Sequence, residues 1–295
     1  MPRSSHLSVP FSRQKSPFRP RGIAGRGAGG KSRPMKLHPT VSSPSRLRGL
    51  YLLGLAFVLH ANAAPREDFL AAKHTATEAN FHNDKIGLHA AITAFDAHAA
   101  DAALGPRALY HAAWTEWMLA ASQLQDDDSA DAIASLESGA ARLRRVLEKT
   151  PDDGEAHSLL AWMLMSIGGA DTARFPQLFP AIREHRQRAL ALAPHSPRVV
   201  MFDGTLLFYS PQPGTQEKGL ARWQEALQLL AAEKIADPTQ PDWGRTLAEG
   251  WLANLLLQTK PPHAAEARVL AEKALKDRPD FWWVATLVLP KTVTP

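Results

Sequence analysis

Three features of the sequence predict an all-α chain built from stacked helical hairpins. Apolar residues recur at helical spacing: Ile133, Leu136, Ala140, Leu143 and Val146/Leu147 form one such stripe, and Leu220, Trp223, Leu227 and Leu230 form another. Alanine supplies 44 of the 232 residues from Ala64 on, and β-branched runs are scarce, so strand has little support outside the last ten residues. Prolines that open or close helices fall at Pro106, Pro151, Pro194, Pro238 and Pro279, at intervals of 45, 43, 44 and 41. A fixed period of this size marks a solenoid of helix pairs, none of which buries its apolar face alone.

The elements follow in order. Arg66 to about Ala79 and Asp84 to about Ala103 read as a lead hairpin. A second unit carries Tyr110, Trp114 and Trp117. Asp126, Asp127 and Asp128 lack the spacing of a calcium loop and read as a solvated turn whose last acid starts the next helix. Asp152 with Glu155 three residues on resembles a capping box, and Gly168-Gly169 closes that helix. After Pro151 the small/large pattern is His157, Leu160, Ala161, Leu164; after Pro194 it is Val200, Gly204, Leu207; after Pro238 it is Gly244, Leu247, Ala248, Trp251. Gly139/Leu143/Val146 and Ala267/Ala271/Ala274 alternate small and large, as close helix crossings require.

This pattern resembles the tetratricopeptide repeat, whose unit pairs a helix A with a helix B and ends on a proline. The resemblance spans roughly residues 105–290 and is clearest in the third, fourth and fifth units. It implies a right-handed α-solenoid of about five helical hairpins. The period exceeds the family's ~34 residues, and the excess is expected between helices A and B, at residues 168–180 and 210–215. Pro197-Arg198-Val199 opening one helix and Pro241-Asp242-Trp243-Gly244 opening the next resemble a group of exported bacterial repeat proteins.

Charge divides the chain further. Residues 1–63 hold 11 of the 34 basic residues and no acidic one, leaving 23 basic against 29 acidic groups in the remainder, a net of −6. Met35 begins a basic lead (Lys36, Arg46, Arg48), followed by the apolar run Leu50 to Leu59 and the small-x-small site Ala61-Asn62-Ala63. Ten apolar residues are too few to span a bilayer, which takes about 20. The expected organisation is an extension over 1–34, a cleaved export signal over 35–63, a helical hairpin over 64–104 and the solenoid over 105–295. Cleavage is expected after Ala63, with Ala64 next in line. The product is expected in a bacterial periplasm or outside the cell, without stable membrane insertion. With no cysteine, it has neither disulfides nor a lipidated thiol.

Motifs for chemistry are thin. Residues 25–32 (GRGAGGKS) match a P-loop in letters, but prolines flank them where a strand and a helix are required. His74, His82, His89 and His98 are spaced 8, 7 and 9 apart, which places no two within reach of one metal on a helix. Glu116 and Glu249 have no sequence context that would raise a carboxylate pKa. No catalytic set, cofactor or nucleic-acid partner is expected. Two other readings are an enzyme or metal-binding protein using the N-terminal histidines or the loop insertions, and a cytosolic protein whose basic arm binds nucleic acid.

Most of the eight tryptophans read as core. In the repeat register, some helix-A residues face a concave groove instead. These are Ser158, Trp162 and Met165; Arg198, Met201, Thr205, Phe208 and Tyr209; and Arg245 and Glu249. An aromatic and methionine-rich groove with two arginines suits a peptide or a partner helix. The expected function is therefore a non-enzymatic scaffold or adaptor for a protein partner.

Overall fold

The computed structural model describes residues 50–293, with side chains described from Pro65 onward. The expected extension, the P-loop-like stretch and residues 35–49 of the expected export signal lie outside these, as do the side chains of the rest of that expected signal and of its expected cleavage site. The described residues are helical, with no strand. Ten α-helices run α1 (Leu50–His82), α2 (Lys85–Asp96), α3 (Gly105–Gln125), α4 (Ser129–Lys149), α5 (Gly154–Ala170), α6 (Phe175–Leu192), α7 (Pro197–Phe208), α8 (Thr215–Ala232), α9 (Arg245–Leu257) and α10 (Ala264–Asp277). A π-turn (Val284–Val288) and a 3₁₀ turn (Leu289–Thr292) follow. Each odd-numbered helix packs most closely on the even-numbered helix after it, an arrangement consistent with a helical solenoid.

Local chemistry sets the boundaries. Side chains accept hydrogen bonds from the otherwise unpaired amides of four first turns: Asp84 from Ile86, Asp128 from Asp131, Asp153 from Ala156, and Ser196 from Val199. Proline occupies the first turn of α3, α6 and α7, where its missing N–H costs nothing. Asn83 and Asp127 adopt positive φ (55° and 61°) in the tight α1–α2 and α3–α4 turns, a conformation short polar side chains tolerate. The cap of α5 is Asp153 rather than Asp152, and Glu155 turns away to accept from Ser196 Oγ at 2.6 Å.

The two helices of a pair are buried differently. Helix α5 is buried almost all round from Ala156 to Gly168, whereas α10 buries a single alanine stripe, Ala267, Ala271 and Ala274. The α7–α8 crossing depends on glycine: a Cβ on Gly219 would lie 2.6 Å from both the Gly204 carbonyl oxygen and the Phe208 nitrogen.

Two expectations need correction. Residues 168–180 are not a long insertion, because α5 runs to Ala170 and α6 starts at Phe175. The extra length lengthens helices there, and the long connection is instead Glu233 to Gly244, between α8 and α9. The alternating C-terminal stretch coils into the π- and 3₁₀ turns with Val284 and Val288 buried.

The lead hairpin does more than precede the array. Arg278, following α10, donates from Nη1 and Nη2 to Glu78 of α1 at 2.9 and 3.0 Å and sits 4.0 Å over the Phe81 ring. Phe81 meets Phe281 edge to face at 4.9 Å. Lys73 of α1 is buried and reaches the α8–α9 connection, donating to the Pro238 and Gln240 carbonyls at 2.5 and 2.7 Å and pairing with Asp242 at 3.0 Å. Arg66 and Arg107 both pair with Asp237. The first hairpin is thus tied to the last two, and the array closes on itself along this seam.

Candidate functional site

Closure changes what the inward faces do. Trp114 of α3 stacks on Trp243 at 3.7 Å and 7°, and Trp117 lies 5.0 Å from Trp114 and 4.9 Å from Trp251 of α9. Trp162 of α5 stacks on Phe202 of α7 at 5.4 Å and 18°. Trp251 lies 6.0 Å from Trp162 and 6.3 Å from Trp223. Aromatic side chains from four inward helices therefore meet one another, and the expected concave surface is the core.

Most of the expected groove residues lie in it. Ser158, Trp162, Met165, Arg198, Met201, Thr205, Phe208 and Glu249 are buried, Tyr209 is half-buried, and Arg245 is exposed. Two of their hydroxyl groups bond within the protein. Thr205 Oγ1 donates to the Met201 carbonyl and accepts from Trp223 Nε1 at 3.2 Å, and Tyr209 donates to Gln258 Oε1 at 3.0 Å. Glu249 lies 2.8 Å from Lys273 Nζ.

The two arginines read together from sequence take opposite parts. Arg198 is 2% exposed. It donates to both oxygens of Glu233 at 2.6 and 2.9 Å, to the Pro241 carbonyl at 2.7 Å and, longer, to Glu155 at 3.4 Å. Burial is the main reason Glu155 is held above the usual carboxylate range, against the pull of Arg198. Arg245 stands at the start of α9 with half its side chain in solvent, 3.8 Å from Glu249. An open groove with two available arginines is thus corrected to one exposed arginine and one structural hub.

One open pocket, of about 270 Å³, lies on the seam between α1, α3 and the start of α9. Phe81, Trp114, Met118 and Trp243 give it apolar lining; Lys73, Asn80, His111, Asp242 and Arg245 give it polar lining. Burial and, next, the Lys73 charge push His111 down to about 3, so the imidazole is neutral at physiological pH. Its Nε2 lies 3.2 Å from the Thr239 carbonyl, which can only accept, so Nε2 carries the proton. The ring stacks on Phe95 at 5.5 Å and meets Phe69 edge-on. Burial likewise lowers Lys73, partly offset by Asp242, and its three donors are taken up by the loop. These groups shape the pocket, and Arg245 faces the solvent at its edge.

Sequence reasoning did not single out Lys73 or His111. The signal was present: Lys73 interrupts the apolar stripe Phe69, Ala72, Ala76, Ala79 on α1, where a charge has no solvated position.

Two other clusters bear on earlier expectations. Glu116 does acquire a perturbing context, since burial pushes it up to about 7 although Arg142 Nη1 donates to its Oε1 at 2.7 Å. Glu78, His82 and Asp280 bring ligand atoms within 4.8 Å of one another, the one such group among the described residues. Arg278 lies between the carboxylates and donates to both, so their lone pairs already serve an ion-pair network. His74, His82 and His89 are exposed and His98 half-buried. No described helix is long and apolar enough to cross a membrane.

No family model matches this chain, and no curated protein matches it.

Proposed function

We propose that the chain is an exported, non-enzymatic scaffold, a right-handed tetratricopeptide-like solenoid of about five hairpins acting in the periplasm or outside the cell. It binds a segment of a protein partner, and the contact is made at the seam pocket rather than along a concave groove. The observation that carries this is the division of the ten groove candidates. Eight are consumed by the core, whereas Arg245 remains exposed beside a pocket with an aromatic lining. A pocket of ~270 Å³ lies just below the usual range for small-molecule sites and suits one inserted side chain. No cofactor enters this reading.

The test is capture of envelope proteins on the tagged chain, compared across three variants. Asn80→Trp fills the pocket, Arg245→Glu reverses the rim charge, and Arg188→Glu alters an exposed charge on α6. A partner held by the wild type and by Arg188→Glu, but released by both pocket variants, supports the assignment. A partner held equally by all four chains refutes it.

A further inference from the structure

His157 of α5 and His185 of α6 face each other across their hairpin with the two Nδ1 atoms 2.8 Å apart. Their ring centroids are 5.1 Å apart and the planes are tilted by 32°. His157 is buried, and its Nε2 lies 3.0 Å from the Pro151 carbonyl oxygen. That carbonyl can only accept, so His157 carries its proton on Nε2. A neutral imidazole has one ring proton, which leaves His157 Nδ1 as a lone pair. His185 Nδ1–H must therefore donate to it. Both tautomers follow from one carbonyl.

We propose that this pair is a proton-operated lock on the α5–α6 hairpin, which accepts one proton while closed and parts on the second. The first proton adds to His185 Nε2, the free nitrogen of a half-buried ring, and leaves the Nδ1–H···Nδ1 bond in place. The second finds its site at His157 Nδ1. There it would set two N–H groups head to head between two cationic rings, in a region of low dielectric. The contact then breaks.

The surroundings set where this happens. Arg144 from α4 and Arg188 from α6 oppose added charge, Glu184 from α6 favours it, and the Pro151 carbonyl of the α4–α5 turn holds His157 in its tautomer. Burial first, then His157, keeps His185 below the ordinary histidine value, so the lock works on the acid side of neutrality. The hairpin is a suitable place for such a device, because α6 fully buries only Ile182 and Ala189.

The experiment uses the full chain. Ring ¹⁵N shifts at pH 8 are expected to show the Nε2–H tautomer for His157 and the Nδ1–H tautomer for His185; the reverse assignment overturns the proposal. Backbone hydrogen exchange, corrected for intrinsic rate, then compares α5–α6 with α9 at pH 7 and pH 4.5. Relative protection of α5–α6 in the wild type is expected to fall by about tenfold. His185→Gln retains a donor to His157, and after an amide flip its oxygen accepts from a protonated His157. That variant is expected to change by less than about threefold. Wild-type protection that is independent of pH, or a His185→Gln chain that loses as much as the wild type, refutes the lock. Should His185→Gln fail to fold, the wild-type tautomers and exchange profile still decide.

Discussion

Arg198→Ala separates a structural arginine from an available one. The guanidinium bridges Glu233, Pro241 and Glu155, and lies 5.3 Å from the Trp243 ring centroid, so it ties α5, α7 and the α8–α9 connection together. Its removal leaves Glu155 and Glu233, both largely out of solvent, without their shared cation, and the Pro241 carbonyl without its donor. Removing one partner of a buried ion pair costs about 3–5 kcal/mol. For a domain of this size each kcal/mol lowers Tm by about 2–4 °C, so the drop is about 6–20 °C. Arg245→Ala removes a half-exposed side chain with one 3.8 Å contact, and is expected to cost less than about 1 kcal/mol. Urea unfolding followed by far-UV circular dichroism at pH 7 measures both. Pairing Arg198→Met with Glu155→Gln and Glu233→Gln should recover part of the loss, because the stranded charges go with the arginine. A loss below about 1 kcal/mol for Arg198→Ala, or equal losses for the two arginines, would refute the division of roles.

Stability should also depend on His111. Its folded pKa is depressed to about 3, so the unfolded chain takes up the proton first as pH falls. The contribution is complete above about 6.5 and declines below it, by about 2 kcal/mol between pH 7 and pH 5. His111→Gln should flatten the urea-midpoint profile over that interval, and an unchanged profile would show that the ring titrates freely. At the α7–α8 crossing, Gly219→Ala drives a methyl against backbone on both sides and should cost about 2–3 kcal/mol. Gly214→Ala meets open space at φ +72° and should cost about 1 kcal/mol through backbone strain alone. Denaturation midpoints that rank the two glycines the other way would contradict the close crossing.

Where the helices lie was legible in the sequence, because the forces that start, stop and orient a helix act over a few residues. Asp84, Asp128 and Ser196 cap helices where short polar residues precede apolar periodicity, and Pro106 and Pro197 lie in first turns. The stripe Ala267, Ala271, Ala274 reads as the packed face of its helix and is fully buried. How the hairpins close on one another was not legible. Curvature accumulates from several interhelix angles, each set by contacts between residues far apart in the chain. Lys73 meets the Pro238 and Gln240 carbonyls across 165 and 167 residues, and Arg278 meets Glu78 across 200. The inward helix faces were therefore recognisable as inward, but whether they lined a groove or filled one another depended on that closure. Trp162 shows the limit: its residue type says that it packs, and only the arrangement of α3, α5, α7 and α9 decides that it packs against the protein's own aromatic rings rather than against a partner.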